Sequence, residues 1–474
     1  MSLNVLYFLT DDHASWGLGC YGNSEVQSPV LDRLAEAGVR FENAFCPTPV
    51  CSPGRAAQTL GRTPSQTGLH DWLLQNDPKI ANRNWIDDEV SLYDLLQKHG
   101  YTVGYSGKWH MGNPMDNPRG VDWYLSSGRT YGRAKKRIGR LSEDSEKEHV
   151  YVKNDELYSA PGRSATHYTD GVIEFLDRRP QDRPFFVTVG FTETHSPWRN
   201  RDPDCLKLYE SATFRDIEAE PQHPWASNEG YRFEVPQSEL HRQFYAGVTE
   251  IDRCVGRLLK ALDERGLREN TLIVYTADHG LCLGQHGIYG KGNGTRPLNM
   301  YDPNLRIPLI WSGPGVTAKG SRVAEYVDQY DTFLSLCSVL GLDGDLDSAR
   351  NYPGSDYSRV LSGRHLEGWD DTRFGEYGDL RMVRNREFKL IRRYPNGPDE
   401  FFVLNSIDGE RRNQVANPFY AEVIAAMDER LQAFYAEHSD PEKSGLLGKE
   451  LPVHNHCEAW RHGVRESRGL QGAG

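Results

Sequence analysis

Short apolar runs alternate with stretches of helical spacing over about the first two-thirds of the chain. The run 5–10 is continuous, which is typical of a strand buried on both faces. Further strands are predicted at 102–105, 184–191, 271–276 and 306–311, and helices at 28–38, 91–99, 170–178, 238–265 and 329–340. Alternation of this kind predicts an α/β fold, with a mostly parallel sheet and helices on both of its faces.

The pattern changes past about residue 365. Short runs at 381–383, 388–392 and 401–404 indicate meander strands, and they are separated by turn sequences such as Asn396-Gly397-Pro398. A helix is predicted at 420–438, and the sequence beyond about residue 442 is polar and irregular. We therefore expect a larger domain, residues 1–365, and a smaller α+β C-terminal domain with an irregular tail, residues 366–474.

Chemically reactive side chains follow four of the predicted strands. They are Asp11-Asp12 after 5–10, Lys108 and His110 after 102–105, His195 after 184–191, and Asp278-His279 after 271–276. Ligands of an open parallel sheet bind beyond the carboxyl ends of its strands. This placement predicts one shared site at that edge of the sheet.

Three of these side chains are carboxylates, Asp11, Asp12 and Asp278, and His279 stands beside the third. For Asp11-Asp12 alone, the capping of a helix would be the simpler interpretation. The matching position of Asp278-His279 favours a metal site, because neighbouring negative charges repel one another unless a cation neutralises them. Oxygen ligands suit Ca²⁺ or Mg²⁺, whereas an imidazole is an unusual ligand for either, so Mn²⁺ or another divalent ion stays open.

The segment Cys51-Ser52-Pro53-Gly54-Arg55 opens a further predicted helix. Pro53 suits the first helical position and so places Cys51 close to the cap, where free N–H groups and the helix dipole attract anions. Arg55, in the same turn, is positioned to contact such an anion. Two other interpretations of Cys51 are a buried structural thiol and a plain thiolate nucleophile.

Four basic side chains complete the candidate site: Lys108, His110, His195 and Lys291. Together they would supply positive charge and proton donors for the transition state of an anionic ester. Each of them alone could have an ordinary role instead, such as that of a surface lysine or a turn histidine. The order of all four along the chain, taken together, favours a site. His286 and Arg296, in the Gly-rich stretch 281–297 around Lys291, are pocket candidates, with a flexible loop as an equal alternative.

Composition narrows the classes of partner. The chain has 474 residues and a net charge of −12, and its one basic run, 133–140, fits a solvated loop better than a nucleic-acid site. No apolar window approaches the length of about 18 residues that a membrane span needs.

The eight cysteines show no spacing typical of a disulfide framework or a zinc site. Without a recognisable signal peptide, a cytoplasmic protein is expected, or a periplasmic or secreted one if a leader was removed.

The motifs together resemble those of the formylglycine-dependent sulfatases of the alkaline phosphatase superfamily. The similar segments are NVLYFLTDD (4–12), CSPGR (51–55), LGRTP (60–64), GYTVGYSGKWHMG (100–112), THSP (194–197) and YTADHG (275–280), with Lys291 following. The resemblance runs from residue 4 to about 314 and implies the alkaline phosphatase-like fold. His279 stands where many arylsulfatases have Asn, and Asp-His is similar to the branch of iduronate-2-sulfatases and choline sulfatases and to phosphonate monoester hydrolases. The stretch 281–297 resembles the corresponding loop of iduronate-2-sulfatase-like enzymes.

The resemblance implies a sulfuric ester hydrolase that releases inorganic sulfate. Asp11, Asp12, Asp278 and His279 match the ligands of one divalent metal, usually Ca²⁺. Cys51 matches the residue that a transient partner, the formylglycine-generating enzyme, oxidises to an aldehyde whose hydrate attacks sulfur.

The remaining motif residues match the family's other functional positions. Arg55 and Lys108 match residues that hold the aldehyde hydrate and the sulfate, and His110 matches the base that helps to expel sulfate. His195 and Lys291 match groups that bind sulfate oxygens and assist the leaving alcohol.

A small sulfated saccharide is the expected substrate. The first alternative is a phosphonate monoester or phosphodiester hydrolase with the same machinery, although Asp12 favours sulfate because phosphonate hydrolases typically lack that second Asp. The second alternative is a non-catalytic anion-binding homologue with unconverted Cys51. A zinc phosphatase is disfavoured, because it needs ligands for a second metal and usually a Ser or Thr nucleophile. No nucleic-acid partner and no particular oligomeric state are predicted.

Overall fold

The computed structural model describes residues 2–75, 77–127, 149–227 and 235–461. In chain order its strands are β1 Asn4–Thr10, β2 Val39–Phe45, β3 Thr102–Gly107, β4 Trp123–Ser127, β5 His149–Lys153, β6 Glu156–Ala160, β7 Phe185–Gly190, β8 Thr271–Ala277, β9 Cys282–Leu283, β10 Tyr289–Gly290, β11 Arg306–Ile307, β12 Leu309–Ser312, β13 Ser321–Asp328, β14 Arg373–Tyr377, β15 Leu380–Arg384, β16 Phe388–Arg393 and β17 Glu400–Val403. Its α-helices are α1 Pro29–Glu36, α2 Cys51–Leu60, α3 Pro64–Thr67, α4 Pro78–Ala81, α5 Leu92–Lys98, α6 Ser164–Arg178, α7 Pro203–Lys207, α8 Gln237–Glu264, α9 Asp302–Leu305, α10 Gln329–Leu340 and α11 Ala421–Glu437.

The central sheet has eleven strands in the order β11-β2-β12-β8-β1-β7-β3-β4-β5-β6, with β13 beside β2. Strand β1 pairs in parallel with β7 and β8, and β3 pairs in parallel with β7 and β4. Antiparallel pairs flank this centre, where β12 meets β8 and where β5 meets β4 and β6. The prediction of a mostly parallel sheet is therefore confirmed, and the antiparallel strands lie toward its two sides.

Helices cover both faces of this sheet, as the sequence predicts. In β1, Val5, Tyr7 and Leu9 belong to one apolar cluster, whereas Leu6 and Phe8 belong to another. This division follows from the alternation of side chains along a strand. Helices α5 and α10 contribute to the first cluster, and α1, α6 and α8 contribute to the second.

The apolar run 306–311 forms two short strands instead of the one that is predicted. Pro308, which has no N–H to donate to a sheet ladder, separates β11 from β12. Helix α6 begins at Ser164, earlier than the predicted start at 170. Strands β2 and β13 are absent from the predictions, because charged residues such as Arg40 and Glu325 interrupt their apolar runs.

The C-terminal residues form a four-stranded antiparallel sheet, β14-β15-β16-β17, together with α11. Val383, Leu390 and Phe401 pack with the α11 residues Met427 and Leu431. Other residues of this sheet belong to the first apolar cluster of the larger sheet: Tyr377, Leu380, Met382, Ile391 and Phe402. The α+β character of this part is therefore as predicted, while the domain boundary at 365 stays a prediction.

No helix among the described residues has both the length and the apolar character that crossing a bilayer requires. The basic run 133–140 and the tail 462–474 lie outside the described residues. All eight cysteines are free thiols.

Candidate active site

The loops after β1, β3, β7 and β8 meet at one edge of the sheet, where they face the first turn of α2. The four strands are parallel neighbours, so that Thr10 lies opposite Ala277 and Gly107 lies opposite Gly190 at their carboxyl ends. This arrangement gathers residues from distant parts of the sequence. The ten predicted site residues converge here: Asp11, Asp12, Cys51, Arg55, Lys108, His110, His195, Asp278, His279 and Lys291.

Cys51 lies at the centre of this group, with only 2% of its surface exposed. Its Sγ atom is 3.0 Å from Lys291 Nζ and 3.4 Å from both Asp11 Oδ1 and His279 Nε2. Burial raises the pKa of the Cys51 thiol, but the charges of Lys108, Lys291 and His279 outweigh it and hold that pKa well below its usual range. The pocket around Sγ is thus built to stabilise negative charge.

Helix α2 presents Cys51 because it packs directly on the end of β8. A Cβ atom at Gly54 would lie 2.6 Å from the Asp278 carbonyl oxygen, so only glycine permits this approach. Gln329, at the start of α10, donates from Nε2 to the same carbonyl at 2.9 Å. Val50 is extended before the helix and Gly61, with φ +64°, ends it.

Arg55 connects three of the loops through one fully buried guanidinium group. Its Nε lies 2.9 Å from Asp278 Oδ2, and its Nη2 lies 3.9 Å from Asp11 Oδ1. Its Nη1 donates to the Lys108 carbonyl at 2.7 Å. Arg55 therefore fixes the carboxylates relative to α2, a role that suits its planar set of donors.

Each of two lysines neutralises one carboxylate. Lys108 Nζ is 2.6 Å from Asp11 Oδ2, and Lys291 Nζ is 2.6 Å from Asp12 Oδ1. Lys291 comes from the loop after β10, where its carbonyl accepts from Asn299 Nδ2 at 3.2 Å. Burial would lower the pKa of each lysine, but the charge of its carboxylate partner, Asp11 or Asp12, and that of Cys51 raise both pKa values above the usual value.

His110 has a ring orientation that fixes its tautomer. Its Nε2 lies 2.9 Å from the Leu73 carbonyl oxygen, which can only accept, so Nε2 carries a proton. Nδ1 is then the nitrogen left for the Cys51 side chain. Burial and the charge of Lys108 lower the pKa of His110, which favours the neutral imidazole that a general base requires. The backbone φ of His110 is +60°, a conformation rare outside glycine.

His195 stands at the wall of a cleft of about 380 Å³ that Asp11 and Lys108 also line. Its Nε2 is 3.9 Å from Asp12 Oδ2. Burial would lower the pKa of His195, but the Asp12 carboxylate raises it above the usual value, which favours the protonated ring. The same cleft continues to Arg163 and Arg199.

The donor set fits a divalent cation. Ligand atoms of Asp11, Cys51, Asp278 and His279 all lie within 4.8 Å of one another, and Asp12 and His195 form a second such group with Asp11 and Cys51. Asp278 Oδ2 is buried and accepts no hydrogen bond from the described residues, since its contact with Arg55 is an ion pair without hydrogen-bond geometry. Burial raises the pKa of Asp278 to about 7, an effect that a bound cation would relieve.

Several neighbours of the site are missed by sequence reasoning. Hydrogen bonds join backbone groups near the site to the side chains of Gln329, Asn299 and Ser52. The polar character of these side chains alone does not distinguish them from surface residues.

Of the two pocket candidates around Lys291, His286 stacks on Tyr301 and lies 3.5 Å from Glu410. Arg296 donates to backbone carbonyls of its own loop.

Comparison with known proteins gives a consistent result. Residues 3–342 match the family described as Sulfatase. The chain is 26% identical over 463 residues to an ulvan-active sulfatase of Formosa agariphila, covering 93% of this chain and 82% of that one. It is 29% identical over 368 residues to iduronate 2-sulfatase of Homo sapiens, covering 70% and 64%.

A solved structure shares the fold. It is that of a protein in complex with its substrate D-glucosamine-2-N,6-O-disulfate, with a TM-score of 0.76 at 20% identity, and the match covers 94% of this chain and 99% of that one.

Proposed function

The chain belongs to the sulfatase family, and we propose that it hydrolyses a sulfate ester of a saccharide and releases inorganic sulfate, with Cys51 as the site of formylglycine. The observation that carries this proposal is the position of Cys51. It lies at the first turn of α2, 3.0 Å from the Lys291 ammonium and 3.4 Å from His279.

The chemistry that the modified residue supplies is a geminal diol, which attacks sulfur with one hydroxyl and uses the other to expel sulfate and restore the aldehyde. Lys108, Lys291 and Arg55 surround this position with fixed positive charge, which stabilises a sulfate group as negative charge develops on its oxygens. His110 Nδ1 is the nitrogen that would take a proton from the diol. Protonated His195 would donate to the oxygen of the leaving alcohol.

We assign the metal ligands to Asp11, Asp12, Asp278 and His279. Asp11, Asp278 and His279 belong to one group of neighbouring ligand atoms, and His279 Nε2 lies 3.3 Å from Asp12 Oδ1. These three carboxylates and one imidazole would hold one divalent ion, for which Ca²⁺ is the simplest choice given the oxygen-rich set. When bound, such an ion supplies positive charge to the sulfate oxygens. Asp278 Oδ2 supports this assignment, because its only contact among the described side chains is the ion pair with Arg55.

The saccharide part of the proposal is supported by the cleft and by the relatives. A cleft of about 380 Å³ that begins at Asp11 and Lys108 and continues past His195 has room for a sugar ring beside the ester. One relative is described as ulvan-active, and another as an N-acetylglucosamine-6-O-sulfatase.

The proposal is tested with protein produced together with a formylglycine-generating enzyme. The mass of the peptide that contains Cys51 reports the conversion, and ion chromatography reports sulfate released from a panel of sulfated mono- and disaccharides. We expect an aldehyde at Cys51, sulfate release from at least one saccharide, and none from the Cys51→Ala variant.

A matched phosphonate monoester is the control substrate. Faster turnover of the phosphonate than of every sulfate ester would replace the proposal with the phosphonate hydrolase. A protein whose Cys51 stays unconverted in the presence of the formylglycine-generating enzyme, and that cleaves neither class of ester, would leave the anion-binding homologue.

A further inference from the structure

Residues 71–74 form an irregular segment that connects the two sides of the site. The Leu73 N–H donates to Ser52 Oγ at 3.1 Å, directly beside Cys51. The Leu73 carbonyl accepts from His110 Nε2 at 2.9 Å. No helix or strand includes this segment, so contacts with the rest of the protein must determine where the Leu73 carbonyl lies.

The last described part of the chain supplies two of those contacts. The His454 carbonyl accepts from Leu74 N at 2.8 Å, and Asn455 Nδ2 donates to the Trp72 carbonyl at 2.9 Å. His454 is itself buried, with its Nδ1 3.0 Å from Glu458 Oε1. Backbone groups on both sides of Leu73 are therefore held by residues about 380 positions further along the chain.

Asp71, the first residue of the segment, is buried, with 2% of its surface exposed. Its Oδ1 accepts from Tyr377 Oη at 2.5 Å and from Trp72 N at 2.8 Å, and its Oδ2 accepts from Asn455 Nδ2 at 3.0 Å. Burial raises the pKa of Asp71, and the hydrogen bonds from Tyr377 and Asn455 offset part of that rise. A buried carboxyl group is costly unless it is well paired, and no catalytic step assigned above uses this one.

We propose that Asp71, with Tyr377 and Asn455 as its donors, is a positioning residue for His110. It fixes the segment that carries the Leu73 carbonyl, and this carbonyl keeps the His110 proton on Nε2 and directs Nδ1 toward the nucleophile. The β14 strand and the segment around Asn455 thereby set the geometry of the base. The kinetic part of this inference rests on the proposed sulfatase function.

The test uses Tyr377→Phe, which removes one hydroxyl group and keeps the ring in place. We expect kcat to fall about tenfold or more while KM changes less than about threefold, because the bond acts on the base and not on substrate binding. Tyr357→Phe is the matched control, since Tyr357 is equally buried and its hydroxyl donates to Thr332 Oγ1 at 3.0 Å, away from the site. This control should keep the wild-type kcat.

A double-mutant cycle separates positioning from a general loss of structure. In a His110→Ala background, Tyr377→Phe should lower kcat by less than about twofold, because the residue through which it acts is gone. An undiminished tenfold loss in that background would overturn the proposal. So would a kcat for Tyr377→Phe equal to that of Tyr357→Phe.

A crystal structure of Tyr377→Phe provides a readout that does not depend on activity. The expected result is a shift of residues 71–74 and a longer distance between Leu73 O and His110 Nε2. An unchanged His110 would overturn the proposal. If the wild-type protein released sulfate from no ester, the proposed function would fail, and this structural comparison would still decide whether Asp71 and Tyr377 position His110.

Discussion

Lys291 Nζ lies 3.0 Å from Cys51 Sγ, although 240 positions separate the two residues in the chain. The same nitrogen is 2.6 Å from Asp12 Oδ1 and 3.5 Å from His279 Nε2. One buried ammonium group thus contacts the proposed nucleophile and two proposed metal ligands. Its charge is directed at the point where an anionic ester would react.

Replacing Lys291 by Ala should lower kcat by about 10²- to 10³-fold, because a preorganised charge at the reacting group is lost. Steady-state sulfate release measures the effect, with Lys319→Ala as a control because Lys319 is exposed. Lys291→Arg should not restore activity, since the larger guanidinium has no room among three partners within 3.5 Å. A loss below about threefold for Lys291→Ala would show that the contact with Cys51 is not catalytic.

Removal of the metal should abolish activity if the assigned ligands are correct. Dialysis against a chelator is expected to eliminate sulfate release, and divalent ions added one at a time should restore it, most fully with Ca²⁺.

The Asp278→Asn variant should bind less metal, because the substitution converts a carboxylate ligand into a neutral amide. Mass spectrometry of the bound elements measures this. Asp204→Asn is the control, since Asp204 is exposed and pairs with Lys207. Full activity after exhaustive chelation would rule out a catalytic metal.

Gly54→Ala should damage both stability and activity. The new methyl group would lie 2.6 Å from the Asp278 carbonyl, so α2 or the end of β8 must move. Overpacking of this kind costs about 1–3 kcal/mol, and here it displaces the helix that carries Cys51 and Arg55. Thermal unfolding and kcat measure the two effects. Gly344→Ala is the control, because a Cβ there meets nothing within 4 Å, and an equal effect of both substitutions would contradict the close packing.

The apolar runs predict β1, β3, β7 and β8 to within two residues, because these strands are buried on both faces and every position in them is selected for burial. The convergence of Asp11 and Asp278 follows from the same pattern, since parallel strands end at one edge. The approach of Lys291 does not follow from it. That approach depends on contacts of a loop, such as the bond from Gly292 N to the Pro49 carbonyl at 3.1 Å.

The sequence likewise gives no sign of the contacts that fix residues 71–74, the segment whose Leu73 carbonyl accepts from His110. His454 and Asn455 stand in a polar stretch that the pattern predicts as irregular, and only the folded chain brings them to Trp72 and Leu74. A short polar motif carries no signal of a partner almost the whole length of the chain away. Sequence patterns therefore predict the positions of residues at the ends of the strands, and they miss the positions that depend on long-range contacts between loops.

Glu250 should make the protein less stable as the pH rises. Burial, strengthened by the charge of Glu193, raises the pKa of Glu250 from 4.5 to about 7, and neither of its carboxyl oxygens has a hydrogen-bond partner among the described residues. The folded protein therefore keeps a proton that the unfolded chain releases between these values, and the free energy of unfolding decreases over that range by at most about 3 kcal/mol. Glu250→Gln cannot titrate, so we expect it to match the wild type near pH 5 and to be more stable at pH 8. Thermal unfolding at both pH values measures this, with the exposed Glu264→Gln as control, and the same stability difference at both would show that Glu250 is already ionised in the folded protein.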